Sequence, residues 1–245
     1  MAHYKAILAY DGTRYAGFQR QVSANSIQQE VETGLQRLGW QERSVLAAGR
    51  TDSGVHATGQ VISFNMDWTH SPETLLRALN ANLPDDIAAQ AISQVADDFH
   101  PRFDAYAREY QYQIYLKPVR DPLKERIAWR VWPEPDVTLM NAAAMDLIGG
   151  HDFAPLGRAM KLGGKTIRSV FEASWNTEQD GLIFCIRANA FLYHMVRRIV
   201  NVLVMIGQSK EEVSIIKRGL ETGKINLVGL APPQGLTLTG VFYKA

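Results

Sequence analysis

The stretch Val45-Leu46-Ala47-Ala48-Gly49-Arg50-Thr51-Asp52-Ser53-Gly54-Val55-His56, with Val61-Ile62-Ser63-Phe64 after it, sets the reading of the whole chain. Two short apolar runs, Val45–Ala48 and Gln60–Asn65, flank a polar loop that holds two glycines. The pattern predicts two strands joined by a tight turn. A carboxylate, Asp52, and a cation, Arg50, sit on that turn.

Working outward, His3–Tyr10 reads as a strand. Ser26–Leu38 reads as a helix with Ile27, Val31, Leu35 and Leu38 on one face. Ser26 with Gln29 is a capping-box pair, and Gly39 is its stop. Ser71-Pro72 starts a second helix through Leu75, Leu76 and Leu79, ended by Pro84. Ile87–Val95 reads as a strand. The order β-α-β-β-α-β is the split βαβ, or ferredoxin-like, unit.

The remainder repeats that order: strand Glu109–Leu116, helix Val137–Ile148 stopped by Gly149-Gly150, hairpin Ser169–Asn176 with Leu182–Ala188 around Gln179-Asp180-Gly181, helix Leu192–Ile206, and strand Leu236–Tyr243. A basic loop, Lys117–Pro135, and an extra helix, Lys210–Leu220, are inserted. No sequence repeat accompanies the duplication. The fold class expected is α+β: two ferredoxin-like (RRM-like) halves, residues 1–104 and 105–245, joined near Asp98–Ala107 and flanking a central cleft.

The 245 residues fit one or two domains, and 46% hydrophobic composition supports a normal core. Net charge is +1, so any nucleic-acid footprint must be local. One cysteine, Cys185, rules out an internal disulfide and fits a reducing compartment. The N-terminus lacks a signal-peptide profile, and the most apolar helix is too short to span a bilayer. A cytoplasmic protein without membrane partners is expected.

Taken alone, Asp52 beside Ser53-Gly54 suits a turn-former, and Arg50 suits a solvated arginine. The loop gains weight because Thr51, Ser53 and His56 crowd the same turn. A carboxylate so placed can act as nucleophile or base. Tyr110, at the start of its strand after Arg108, suits either core packing or stacking on a base. In the helix at Leu192–Ile206, His194, Arg197, Arg198 and Asn201 form one polar stripe. A buried arginine there needs an anion, either a structural carboxylate or Asp52 itself. Arg158, Lys161, Lys165 and Arg168 lie in a stretch, Ala154–Phe171, without acids, and Gly12–Gln29 carries Arg14 and Arg20 likewise. These are solvated loops or a phosphate-contacting rim. The histidines show no metal-ligand spacing, and phosphate-loop, dinucleotide and zinc-deaminase motifs are missing. No cofactor or metal is expected.

Ala48–Ala57 with Gly59-Gln60-Val61 closely resembles the catalytic motif of the TruA family of tRNA pseudouridine synthases. The likeness continues in order through Tyr10–Gln21, Asn82–Ile87, Phe99–Phe103, Arg108–Tyr112, Gly150–Phe153 and Phe191–Arg198. The resemblance implies that Asp52 is the catalytic aspartate and that Arg50 takes the place of the displaced base. It implies that Tyr110 stacks on the flipped uracil and that Arg197 is the basic partner of the aspartate. His56, Arg14, Arg20, Arg158, Lys161, Lys165 and Arg168 would contact substrate. It further implies a homodimer acting without cofactor on uridines 38, 39 and 40 of the tRNA anticodon arm, with the C-terminal half supplying tRNA-binding loops and dimer contacts. The chain departs from the family after Phe153: Ala154-Pro155-Leu156 stands where a phenylalanine is expected at or near the third position.

Overall fold

The computed structural model describes residues 1–161, 163–179, 181–226 and 229–244. The fold is mixed α and β, and the chain divides into two compact units, Met1–Tyr106 with Thr237–Ala245, and Ala107–Leu236.

In the first unit, β1 (Ala2–Tyr10) is followed by α1 (Ile27–Arg37), β2 (Leu46–Ala47), β3 (His56–Met66), α2 (Pro72–Asn80) and β4 (Ile87–Gln94). β1 is central and antiparallel to both β3 and β4; β2 pairs antiparallel with β3. The β-α-β-β-α-β order is therefore as the sequence predicts. Both helices start where their caps place them: Ser26 Oγ accepts the Gln29 N–H at 3.3 Å, and Ser71 Oγ accepts that of Thr74 at 3.4 Å. Gly39, at φ +94°, follows α1 in the left-handed region that a Cβ disfavours. The apolar faces are buried as their periodicity demands, with Ile27, Val31, Leu35, Leu75 and Leu79 fully covered. Pro84 does not end α2. The helix stops at Asn80, and a turn covers the residues between, with Leu83 N–H on Asn80 O at 3.4 Å.

The second unit begins along β5 (Ala105–Tyr115), and continues with β6 (Trp129–Arg130), α3 (Val137–Met145), β7 (Gly149–Asp152), β8 (Ile167–Glu178), β9 (Gly181–Ala188), α4 (Met195–Gly207) and α5 (Ile215–Thr222). Its sheet runs β5-β9-β8-β7, antiparallel throughout, and β6 adds parallel to β5. The β8–β9 hairpin is where the sequence puts it; Asp180 of its expected turn lies outside the described residues. α4 buries Met195, Ile199, Val200, Val202, Leu203 and Ile206 completely. α3 packs beside it, so closely that a Cβ on Gly207 would stand 2.7 Å from Met140 Cγ.

Several expectations are corrected. The final strand, β10 (Leu236–Tyr243), pairs in parallel with β3 through Thr237–His56 and Leu238–Ala57, and so counts with the first unit. A Cβ on Gly59 would lie 2.2 Å from Thr239 O, which explains a glycine within β3. α4 starts at Met195, later than predicted, because His194 is left-handed at φ +63°. His194 thus precedes the helix and is not part of its polar stripe. α5 starts five residues later than predicted, after Ser214. β6 and β7 were not predicted; two and four residues are too few to show a period.

Asp136 caps α3 with two bonds, Oδ1 accepting the N–H groups of Thr138 at 2.8 Å and Leu139 at 3.2 Å. Asp136→Ala is expected to cost about 1 kcal/mol of stability. Urea unfolding reads this as a lower midpoint with an unchanged slope; an unmoved midpoint would show the cap to be idle.

Candidate active site

The Asp52 turn is built by the segment that follows β1. Tyr10, the last residue of that strand, is buried, and its hydroxyl lies 2.9 Å from Thr51 Oγ1. Burial raises the Tyr10 phenol well above its ordinary range, so it stays protonated. Asp11 closes the next turn, accepting Thr13 N–H at 3.0 Å and the Thr13 hydroxyl at 2.5 Å. Gly12 N–H donates to His56 Nδ1 at 3.1 Å. That same Nδ1 lies 3.2 Å from Asp11 Oδ1, a contact that becomes an ion pair when the ring is protonated there. The two contacts exclude each other: with Gly12 donating, the Nδ1 lone pair is in use.

Further on, Asp86 clamps the segment. Arg14 donates to its Oδ2 from Nε at 3.0 Å and Nη2 at 2.5 Å, and the Tyr15 hydroxyl donates to Oδ1 at 2.6 Å. Tyr15 O then accepts the Gly54 N–H at 3.3 Å and the Ser53 hydroxyl at 3.1 Å. Phe18 N–H reaches Thr51 O at 3.1 Å. Gly17, at φ +101°, makes this approach possible, since a Cβ there would be 2.7 Å from Thr51 O. Val55 N–H closes the turn on Asp52 O at 3.2 Å, with Gly54 at φ +76° in its third position. On the other side, the buried Gln60 donates from Nε2 to Gly49 O at 3.1 Å.

The residues on both sides of Asp52 are thus fixed to backbone and core. The half-buried carboxylate rides on a turn with little freedom, and Arg50 beside it is exposed. Arg50 and Asp52 share this loop, and His56 opens β3 just after it. The sequence reading gave no role to Asp86 or Gln60; an aspartate two residues after a proline, and a glutamine within an apolar strand, carry no pattern of their own.

Arg14 and Arg20 each face a carboxylate already. Arg14 pairs with Asp86, and Arg20 Nη1 donates to buried Glu32 at 2.7 Å. Arg20 therefore ties α1 down, and both cations offer less to a phosphate than their charge suggests.

In the second unit, Tyr110 lies in mid-strand rather than at the strand's start, opposite Ile186 of β9. Its ring is half-buried and meets Phe191 edge-on, with centroids 5.1 Å apart at 90°. Tyr112, two residues on, is core, and burial raises its phenol far above its ordinary range. Arg197 occupies the first turn of α4, half-buried. Its Nε donates to Ala231 O at 2.8 Å, and Ala231 N–H returns a bond to Arg197 O at 3.1 Å. The guanidinium is held by a backbone carbonyl, a partner the sequence could not disclose.

The basic stretch is shaped by backbone contacts. Arg158 and Tyr193 exchange N–H···O bonds of 3.1 and 2.9 Å. Arg168 Nη1 donates to Lys165 O at 3.0 Å and Ile167 O at 2.6 Å. Arg158, Lys161 and Lys165 are exposed. Phe153 and Leu156 are fully buried, so within the departing stretch Ala154-Pro155-Leu156 the leucine serves as a core side chain.

A model of a family described as tRNA pseudouridine synthase matches residues 6–104 and 143–244. A tRNA pseudouridine synthase A of Shouchella clausii is 39% identical over 245 residues, covering 99% of this chain and 94% of the relative. Its counterpart in Myxococcus xanthus is 38% identical, covering 100% and 93%. That of Streptococcus equi subsp. equi is 37% identical and covers 100% of both chains.

Proposed function

Because the chain belongs to the tRNA pseudouridine synthase family, we propose that it isomerises uridines 38, 39 and 40 in the anticodon arm of tRNA, with Asp52 as its catalytic carboxylate. The observation that carries this reading is the Asp52 turn, pinned through Thr51, Ser53 and Gly54 to the segment after β1. A turn that needs only to reverse the chain does not need three separate anchors.

The reaction asks little else of the protein. The bond from C1′ of the ribose to N1 of uracil breaks, and one from C1′ to C5 forms. N1 gains a proton and C5 loses one, so atoms and electrons balance without a redox partner. Attack on the sugar, attack on the ring and removal of a sugar proton all start from the same ionised carboxylate. Taking the base out of the stack costs a few kcal/mol. Stacking on Tyr110 returns about 1–3 kcal/mol, and Arg50, exposed on the loop, fills the vacated place. Arg197 serves as the cation that keeps Asp52 ionised. His56 and the exposed cations Arg158, Lys161 and Lys165 contact substrate along with Arg168, with smaller shares from Arg14 and Arg20. The two halves are ferredoxin-like, and the working form is a cytoplasmic homodimer.

Carbodiimide mapping of treated tRNA tests the substrate: adducts are expected at positions 38, 39 and 40, and adducts confined to other arms would refute that assignment. Arg197→Met is expected to lower turnover at least about a hundredfold while tRNA affinity moves less than about threefold. A collapse of the unfolding midpoint with activity lost in proportion would make Arg197 structural instead.

A further inference from the structure

We propose that Phe191 is a positioning residue that fixes the orientation of the Tyr110 ring; this rests on the reading of Tyr110 as the group that stacks on uracil. The rings meet edge to face, 5.1 Å between centroids and 90° between planes. This is the geometry in which a positive ring edge meets a negative ring face. Tyr110 is half-buried, so its neighbours cover only part of the ring, and the perpendicular Phe191 ring limits its swing.

Phe191 can do this because its own segment is locked on both sides. Before it, Asn189 N–H donates to Ser169 O at 3.0 Å, Asn189 Oδ1 accepts the Ser169 N–H at 3.0 Å, and Asn189 O accepts Arg108 Nη1 at 2.9 Å. After it, Leu192 is buried and closely approached by Gly157, where a Cβ would stand 2.6 Å from Leu192 Cβ. Tyr193 and Arg158 exchange both backbone bonds. His194 then takes a left-handed backbone, φ +63°, which a non-glycine residue adopts only where its surroundings impose it. A locked backbone on each side leaves Phe191 a fixed wall for Tyr110.

A stacking platform set in advance lowers the ordering cost at the moment the flipped base arrives. The same ring set askew would bind tRNA as well and react more slowly. An edge-to-face pair contributes about 0.5–1.5 kcal/mol, so its loss from the transition state corresponds to a fall in kcat of about twofold to tenfold.

The test compares Phe191→Leu, Phe191→Met, Phe191→Tyr, Tyr110→Leu and the double variant Tyr110→Leu/Phe191→Leu in the full chain. Turnover, KM for tRNA and the unfolding midpoint are measured for each. Phe191→Leu and Phe191→Met are expected to lower kcat by about twofold to tenfold with KM unmoved, assayed below every variant's unfolding transition, and Phe191→Tyr to keep wild-type kcat. In the Tyr110→Leu background, Phe191→Leu is expected to cost nothing further. Wild-type kcat in both Phe191→Leu and Phe191→Met, a full additional loss in the double variant, or a rise in KM alone would overturn the proposal. Should Tyr110→Leu itself keep wild-type kcat, the stacking reading falls, and this proposal with it. An inactive Tyr110→Leu beside an unaffected Phe191→Leu removes this proposal alone.

Discussion

Asp52→Asn is expected to reduce single-turnover pseudouridine formation by at least about a thousandfold while changing the Kd for tRNA by less than about threefold. Asparagine keeps the size and shape of the side chain and removes its charge and basicity. Loss of a nucleophile or general base costs a factor of about 10² to 10⁴ or more. The turn is anchored by other groups as well. Its anchors are Thr51 to Tyr10, Ser53 and Gly54 to Tyr15, and Val55 to the backbone carbonyl of Asp52. Folding and RNA contact should therefore survive the change. Equal losses of activity and of tRNA affinity would mean that Asp52 binds rather than reacts.

Gly12→Ala is expected to damage both stability and activity, because no space exists for the new methyl. An ideal Cβ there would lie 2.0 Å from Val55 O, a backbone atom on the closing side of the Asp52 turn. Backbone cannot yield as a side chain does, so the two loops must separate, at about 1–3 kcal/mol for overpacking. A misplacement of about 1 Å in a catalytic group costs roughly a hundredfold in rate. Activity should fall by about that factor even at temperatures where the variant is fully folded. Gly150→Ala is the control for stability: its Cβ would meet Ser169 Oγ at an ordinary 3.8 Å. Wild-type turnover in Gly12→Ala would show that the turn tolerates displacement and that its anchoring is incidental.

Much of the fold was legible because it rests on local signals. Ser26 and Ser71 start helices through their own hydroxyls, and the faces with Ile27, Val31 and Leu35, or Leu75 and Leu79, carry the 3.6-residue period. What escaped is set by distant partners. Nothing in Leu236–Tyr243 says that β3 is its parallel neighbour. His194 sits amid strong helix-formers, and its left-handed backbone comes from contacts around it. Tyr110 looked terminal because the strand's first residues, Ala105-Tyr106-Ala107-Arg108, lack a clear period.

The site divides in the same way. The Asp52 loop announced itself by its density of polar residues between apolar strands, and the resemblance of its motifs named the family to which the comparisons also lead. Its supports did not announce themselves. Asp86 and Gln60 support the Asp52 turn through contacts over 71 and 11 positions, and Phe191 meets Tyr110 over 81, pairings that no local pattern discloses. The cations at Arg14 and Arg20 have partners the sequence did not disclose: they face Asp86 and Glu32.

The central claim is that Asp52 drives rearrangement of uridine within tRNA, and tritium release tests it most directly. The substrate is tRNA carrying uridine labelled with tritium at C5, the atom that exchanges its hydrogen for the new bond to the sugar. The wild-type protein is expected to release tritium in step with pseudouridine formed, with no free uracil, and Asp52→Asn to release none. Free uracil as product, or release by Asp52→Asn at the wild-type rate, would contradict the account.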